Sequence, residues 1–119
     1  MGKQIVYDLV KRVDVVLDNF RAGVMKRLRL NYETLSKINP RIICCSITGF
    51  GLSGPYSDRP SFDLITEAIS GVMSMTGEKG RPPCRTGIAV GDLSGPLFAV
   101  SAIAAALYHR ERTGLGQSI

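Results

Sequence analysis

The sequence predicts an α/β layered fold in which a short parallel sheet is flanked by helices. Two apolar runs, at residues 13–17 and 41–47, have the length and the aliphatic character of buried strands. Segments with helical periodicity precede, separate and follow these runs, and such an alternation of helix and strand is typical of a parallel sheet. With 119 residues the chain is long enough for one domain with a core of its own.

The predicted elements follow in a regular order. Helix, strand, helical turn, helix, strand and helix are expected at residues 3–12, 13–17, 24–28, 31–38, 41–47 and 62–75. Asn31 and Ser61 are placed to cap the third and the last of these helical segments. The last of them has an apolar face that is expected to pack, formed by Leu64, Ile65, Ala68, Ile69 and Val72.

The final predicted element is an extended segment at residues 87–90 that turns at Gly91 and Asp92 into a long helix. Its packed face is expected to comprise Leu93, Leu97, Val100, Ala104 and Leu107. Cations in the last turn and Gly114 after it predict where the helix ends. Asp92 then meets free backbone N–H groups at the positive end of a helix. The carboxylate is either a helix cap or a nucleophile presented to a substrate.

Composition and charge exclude several functions. The formal net charge is +5, but the basic residues are spread along the chain without an aromatic platform, so nucleic acid is not an expected partner. A small molecule that carries phosphates accounts for the same charge. The apolar run 97–107 is too short for a membrane span, so no membrane partner is expected. The N-terminus shows no signal-peptide pattern.

The cysteines and the histidine narrow the chemistry further. Cys44, Cys45 and Cys84 have no metal-ligand spacing, and no metal site is predicted. Cys44 and Cys45 are expected to be small core residues in a reducing compartment, which favours a cytoplasmic location. His109 is the only histidine, so the chain cannot supply a Ser-His-Asp or Cys-His site.

The loops at residues 18–23 and 48–55 are the expected ligand-binding region, because ligands bind at the carboxyl ends of parallel strands. Basic residues follow the first of these loops, and they form either a solvated turn or a phosphate clamp: Arg21, Lys26, Arg27 and Arg29. The second loop matches a dinucleotide-binding string from Gly49 to Gly54. Pro55 follows, and the next helix begins only near Ser61, which disfavours a nicotinamide cofactor.

Several blocks of the sequence, in the same order and with fitting spacers, resemble the family III CoA-transferases, also called the CaiB–BaiF family. The blocks are Asn19–Leu28, Ile38–Gly51, Gly54–Tyr56, Arg59–Leu64, Gly91–Asp92 and His109–Gln117. The resemblance implies that residues 1–119 form a single, partial CoA-transferase domain with a Rossmann-like layered fold. It also implies that family members are longer, with an N-terminal segment before this region and a second domain after it.

The resemblance assigns roles to individual residues. Asp92 falls on the family's catalytic aspartate, which attacks an acyl-CoA thioester and becomes an aspartyl-CoA thioester before an acceptor acid takes the CoA. Nearby glycine N–H groups are expected to stabilise the oxyanion. Coenzyme A, as a substrate and not a bound cofactor, is expected to contact Asn19, Phe20, Arg27, Leu28 and Phe62.

Three functions are therefore compared. Transfer of CoA between an acyl-CoA and a carboxylic acid is preferred, in a homo-oligomer such as the family's interlocked dimers. A non-catalytic module that binds CoA or a nucleotide, or that oligomerises, is the alternative. A racemase is disfavoured, because Phe62 stands where racemases of this family carry a histidine, so an acid–base pair across the substrate carbon lacks a partner. Helix faces that lack covering layers are expected to be exposed and to favour self-association.

Overall fold

The computed structural model describes residues 2–119 and has the predicted α/β layering. The helices are α1 (Gly2–Val10), α2 (Val24–Leu28), α3 (Tyr32–Leu35), α4 (Asp63–Ser70) and α5 (Val90–Thr113), with a 3₁₀ helix at Val72–Met75. The strands are β1 (Val15–Asp18) and β2 (Ile43–Ser46), between α1 and α2 and between α3 and α4. Both strands and the helical turn lie where the sequence predicted them, with boundaries that differ by a few residues.

The two strands are parallel, as predicted, and β2 is the more buried of the two. The register places Val15 opposite Ile43 and Asp18 opposite Ser46. The other edge of β2 is paired with residues 117–119, through hydrogen bonds at 2.8 to 3.0 Å. Because β2 is bonded on both edges, its apolar sequence is buried, including Cys44 and Cys45.

The hydrophobic core lies between α1, α3 and β2. Its central side chains are Val10, Leu35, Ile42 and Cys44. Asn39 closes this end of the core, since its side-chain amide donates to the Val10 carbonyl at 2.9 Å and its oxygen accepts the N–H of Arg41 at 3.0 Å. The core therefore lies toward the end of the sheet that is opposite the carboxyl ends of the strands.

Helix α5 differs from the prediction at its start and in its packed face. Residues 87–89 form no strand, and the helix begins at Val90, so that Gly91 and Asp92 are already helical. Its predicted packed face is wrong: Leu93, Leu97, Val100 and Ala104 are exposed and Leu107 is half-buried. The helix instead buries Ala99, Ala106 and Arg110. Small side chains allow it to approach β2 and α4 closely. Gly114 ends the helix in a left-handed conformation (φ 79°), as predicted.

Helix α4 is turned around relative to the prediction. The residues expected to pack, Leu64, Ile65, Ala68 and Ile69, are exposed, whereas Asp63 and Glu67 are buried. The predicted segment 62–75 is divided, because Gly71 adopts a left-handed conformation (φ 84°) between α4 and the 3₁₀ helix. Ser61 is not the cap, since Phe62 occupies that position. Asn31 does occupy the N-cap position of α3, although its side chain bonds no backbone N–H group there.

The exposed apolar faces agree with the expectation of uncovered helices. The radius of gyration is 17.4 Å, whereas a compact chain of this length has a value of about 13.5 Å. The principal extents are 56 × 32 × 23 Å, so the chain is elongated. An elongated chain has too little interior to cover every apolar helix face, and α4 and α5 carry the uncovered ones.

The length of α5 corrects the membrane argument made from the sequence. The helix has 24 residues and is apolar enough, by length and composition alone, to cross a membrane, so the run at 97–107 was too narrow a test. A helix that packs within an α/β layer passes the same test. Arg110, near its end, is buried and pairs with Asp14 at 2.9 Å, which ties α5 to the segment before β1.

Candidate active site

A cleft of about 930 Å³ opens at the carboxyl ends of β1 and β2, beside the first half of α5. Its lining is contributed by both strand-end loops, α4 and α5: Leu17, Asp18, Asn19, Arg21, Ile47, Thr48, Gly49, Ser61, Phe62, Thr66, Gly91, Asp92, Gly95, Pro96, Ala99, Val100 and Ile103. Ligand sites in proteins have similar volumes. The structure thus brings the two predicted ligand loops together with the first turn of α5.

Asp92 is exposed on the first turn of α5 and lines this cleft. It is the third helical residue, and Ala89 occupies the cap position, so the interpretation of Asp92 as the helix cap is wrong. Its carboxylate still lies at the end of the helix where the macrodipole favours an anion. Of the two interpretations from the sequence, the presented carboxylate is the one compatible with this geometry.

Asp63 of α4 bonds the backbone N–H groups at the start of α5. Its Oδ1 accepts the N–H of Gly91 at 2.9 Å and that of Asp92 at 3.3 Å. Its Oδ2 lies 3.4 Å from Nη2 of Arg85. The N–H of Gly91, one of the glycines near Asp92 whose N–H groups were expected to stabilise an oxyanion, is therefore already bound to a carboxylate. Asp63 was missed as a functional residue, because an acidic residue at the start of a helix is common without such a role.

Glu67, one turn further along α4, holds the segment that leads into α5. It accepts the N–H of Thr86 at 3.0 Å and a hydrogen bond from the Thr86 hydroxyl. These bonds, the hydroxyl first, hold the pKa of Glu67 below its usual value despite burial. The sequence indicates these contacts only through the spacing of Asp63 and Glu67, since acidic residues four positions apart lie on the same face of an otherwise apolar helix.

The strand-end loops are fixed by polar contacts between the two strands. Asn19 donates its side-chain amide to the Ile47 carbonyl at 2.7 Å. The Ser46 hydroxyl donates to Asp18 at 2.7 Å, and the other oxygen of Asp18 accepts the N–H of Phe20 at 3.1 Å. Asn19 thus has a structural contact and also lines the cleft.

The predicted CoA contacts are not all brought to one place. Phe62 is 74% exposed and lines the cleft with Asp92 and Asn19. Phe20 is 53% exposed and lines an adjoining cavity of about 80 Å³, to which Arg21 and Arg59 also contribute. Two arginines therefore border this cavity, and the guanidinium group of Arg59 stacks on the ring of Tyr56, with its carbon 4.2 Å from the ring centroid.

Arg27 and Leu28 lie on exposed positions of α2 and line neither the cleft nor the adjoining cavity. A third cavity of about 360 Å³ lies next to α2 and is lined by Arg21 and Lys26. Arg27 and Leu28 do not line this cavity either. Their proposed contact with CoA stays a prediction. His109 is near the far end of α5, about 25 Å along the helix axis from Asp92. Among residues 2–119, no three His, Cys, Asp or Glu side chains are grouped to bind a metal ion.

The fold and the cleft define an α/β protein that presents a carboxylate, on the first turn of a helix, to a cleft at the strand ends. The model of CoA-transferase family III matches residues 1–119. The chain belongs to that family.

Relatives at high identity agree with this assignment. The chain is 48% identical to an acetyl-CoA:oxalate CoA-transferase of Acetobacter aceti, over 98% of its own length and 30% of that protein. It is 46% identical to a succinate–glutarate CoA-transferase of Agrobacterium fabrum, over 99% and 30%. A crystal structure of a CaiB/BaiF family protein from Brucella suis superimposes with a TM-score of 0.94 at 45% identity, over 99% of this chain and 31% of that one. The chain spans about a third of the length of these proteins.

Proposed function

We propose that the chain takes part in the transfer of CoA between an acyl-CoA and a carboxylic acid, with Asp92 as the nucleophile. The observation that carries the proposal is the position of Asp92, exposed on the first turn of α5 in the cleft formed by the strand-end loops. Family membership and the names of the relatives support the reaction class.

In the proposed reaction a carboxylate oxygen of Asp92 attacks the thioester carbonyl, the C–S bond breaks, and CoA leaves as a thiolate, so that a mixed anhydride of Asp92 and the donor acid remains. The thiolate attacks the Asp92 carbonyl carbon, releases the donor acid and leaves an aspartyl-CoA thioester. The acceptor carboxylate attacks this thioester and expels the thiolate again. The thiolate then attacks the acceptor's acyl carbon, which gives the new acyl-CoA and restores Asp92.

Several contacts support these roles. The Asp92 carboxylate lies on the first turn of α5, at the positive end of that helix. Because the Gly91 N–H is bound to Asp63, oxyanion stabilisation is assigned to other polar groups that line the cleft, of which Thr48 and Ser61 carry hydroxyls. Phe62 gives the cleft an exposed apolar surface against which the thioester arm of CoA can pack.

The CoA phosphates are assigned to the basic side of the site. Arg21 lines both the cleft and the cavity beside Phe20, and Arg59 joins it in that cavity. Guanidinium groups bind phosphate in a bidentate manner, which makes these two the preferred contacts. Arg27 and Leu28 are proposed as outer contacts of the nucleotide, which would have to extend beyond the cleft to reach α2.

Assembly and location complete the proposal. The uncovered apolar faces of α4 and α5 favour a homo-oligomer, which sedimentation of the purified chain at several concentrations would detect. A reducing, cytoplasmic environment is proposed, because Cys44, Cys45 and Cys84 are all free thiols in this structure.

Mass spectrometry of the intact protein tests the proposal directly. The chain is mixed with acetyl-CoA, formyl-CoA and succinyl-CoA, the donors that the names of relatives suggest, and hydroxylamine is added to trap an activated carboxyl group. Asp92→Asn is the matched control, because it preserves size and removes the nucleophilic oxygen. We expect a hydroxamate on Asp92 in the natural chain and none in the variant.

The other outcomes separate the alternatives. Saturable CoA binding that survives Asp92→Ala, with no adduct in the natural chain, would replace the transferase by a binding module. Exchange of a substrate α-proton with solvent, without an adduct, would favour a racemase. If the chain shows neither CoA binding nor an adduct, a role of this chain in acyl-CoA chemistry is refuted.

A further inference from the structure

We propose that Asp63 is the positioning residue of Asp92: its buried carboxylate holds the first turn of α5 so that the Asp92 side chain is presented to the cleft. The inference rests on the proposed function of Asp92. Asp63 does not itself line the cleft, so it acts through α5 and not on a substrate.

The hydrogen bonds of Asp63 have a geometry that fits this role. One oxygen of Asp63 accepts two consecutive N–H groups, from Gly91 at 2.9 Å and from Asp92 at 3.3 Å. The second of these donors belongs to the proposed nucleophile. A bond to its own backbone nitrogen fixes the peptide plane from which the Asp92 side chain projects.

Helix α5 has no cap at its own N-cap position. The N-cap residue is Ala89, which has no side-chain oxygen, and no side-chain hydrogen bond is made from that position. The first N–H groups of a helix need an external acceptor. Without Asp63, Gly91 and Asp92 would have to be solvated, and the first turn would fray at the residue that attacks the substrate.

Gly91 lies close to Asp63. A Cβ atom built on Gly91 would lie 3.1 Å from Oδ1 of Asp63 and 3.4 Å from Cγ2 of Thr66. The contact with Asp63 would be tighter than ordinary van der Waals packing, whereas the one with Thr66 would be ordinary. A glycine at this position therefore allows Asp63 to reach the backbone of α5.

The surroundings of Asp63 also suit this role. It is 7% exposed and is the first residue of α4, so its carboxylate lies at the positive ends of two helices. Arg85 adds a cation at 3.4 Å. These partners offset the cost of burying the carboxylate and keep it in place beside both N–H groups.

The first test measures adduct formation with succinyl-CoA in the natural chain, Asp63→Ala and Asp63→Asn. With Asp63→Ala we expect the rate at saturating succinyl-CoA to fall on the order of 100-fold, with the half-saturating concentration little changed. Asp63→Asn keeps an oxygen acceptor and should recover most of the rate. Asn39→Ala, which removes a hydrogen-bonding side chain at the other end of the sheet, is the control for lost stability.

Equal losses in Asp63→Ala and Asp63→Asn, or a loss that Asn39→Ala reproduces, would overturn the inference. Gly91→Ala provides a second variant in case Asp63→Ala does not fold. The added methyl group pushes the carboxylate of Asp63 away from the backbone N–H of residue 91 without removing either group. We expect it to slow the reaction without a matching change in half-saturation. A rate equal to that of the natural chain would count against the positioning role.

The second test needs no activity and separates this inference from the proposed function. Amide hydrogen exchange is measured by NMR at Gly91 and Asp92 without acyl-CoA. We expect protection in the natural chain and in Asp63→Asn, and its loss in Asp63→Ala, while the amide of Ala106 stays protected. Protected amides without any adduct would refute the proposed function and support the cap, whereas unprotected amides in the natural chain would refute the cap.

Discussion

Gly116 is the position at which one methyl group should disturb the sheet most. A Cβ atom there would overlap the carbonyl oxygen of Ile42 and lie 2.5 Å from its carbonyl carbon. The clash is with backbone atoms, so no side-chain rotation relieves it. Gly116→Ala must therefore displace residues 116–119 from the edge of β2.

The cost follows from the hydrogen bonds that this segment makes. The N–H of Gly116 donates to Pro40 at 2.9 Å, and its carbonyl accepts the Tyr32 hydroxyl at 2.9 Å. Three more bonds join residues 117–119 to β2 at 2.8 to 3.0 Å. At about 0.5–1.5 kcal/mol of net stability each, loss of all five bonds lowers the free energy of unfolding by roughly 3–7 kcal/mol. A domain has only about 5–15 kcal/mol in total.

Urea unfolding followed by circular dichroism measures this loss, since the chain has no tryptophan to report it by fluorescence. Gly114→Ala is the matched control, because Gly114 has a left-handed backbone (φ 79°) but no atom within 4 Å of the added Cβ. Backbone strain alone should cost about 1–2 kcal/mol. If Gly116→Ala loses no more than Gly114→Ala, or if the amides of Cys44 and Ser46 keep their exchange protection, the close approach at Gly116 is not what holds the segment.

Two further predictions concern titratable side chains. The folded pKa of Glu67 is lowered from 4.5 by the Thr86 hydrogen bonds, so its stabilising contribution is complete above about pH 4.5 and is lost as the pH falls through the folded pKa. Unfolding curves at decreasing pH should show that Thr86→Val weakens this acid dependence, and an unchanged dependence would assign it to other carboxylates. Burial raises the pKa of Cys44 to about 11, so iodoacetamide at neutral pH should label exposed Cys84 first, as peptide mass spectrometry would show. Faster labelling of Cys44 would mean that β2 opens more readily than its hydrogen bonds indicate.

The elements that the sequence predicted well are those whose signals are local. The run at 41–47 is apolar on both faces and became the buried strand β2, and Gly114 ended α5 because a left-handed residue favours glycine. The parallel arrangement followed from the alternation of helix and strand. The segment 87–89 failed as a strand because it has no neighbouring strand to pair with, and pairing is not visible in a short run of residues.

The packed faces of α4 and α5 were predicted wrongly for one common reason. The most apolar stripe of a helix is the buried one when a core surrounds the helix. Here the helices pack through small or charged residues, and large apolar ones such as Phe98, at 76% exposed, remain uncovered. No periodicity rule reports which layers are available to cover a face.

The position of the cleft was predictable from the sequence, but its internal contacts were not. Ligand loops after parallel strands are a topological rule, and the structure brings both of them to Asp92. Asp63 and Glu67 were missed because each acts on a residue 19 to 29 positions away in the sequence. Such a contact depends on how two helices are rotated against each other.

The rotation of α4 itself can be understood as a competition between apolar burial and polar contacts. Leaving Leu64, Ile65 and Ile69 between 38% and 58% exposed forgoes roughly 2–5 kcal/mol of apolar burial. Turning α4 to bury them would break the two charged hydrogen bonds from Asp63 to α5, which at about 1.5–3 kcal/mol each amount to roughly 3–6 kcal/mol. The bonds of Glu67 to Thr86 would be lost as well. The polar contacts therefore set the rotation of α4, and the same contacts that hold Asp92 in the cleft leave an apolar face that further protein surface can cover.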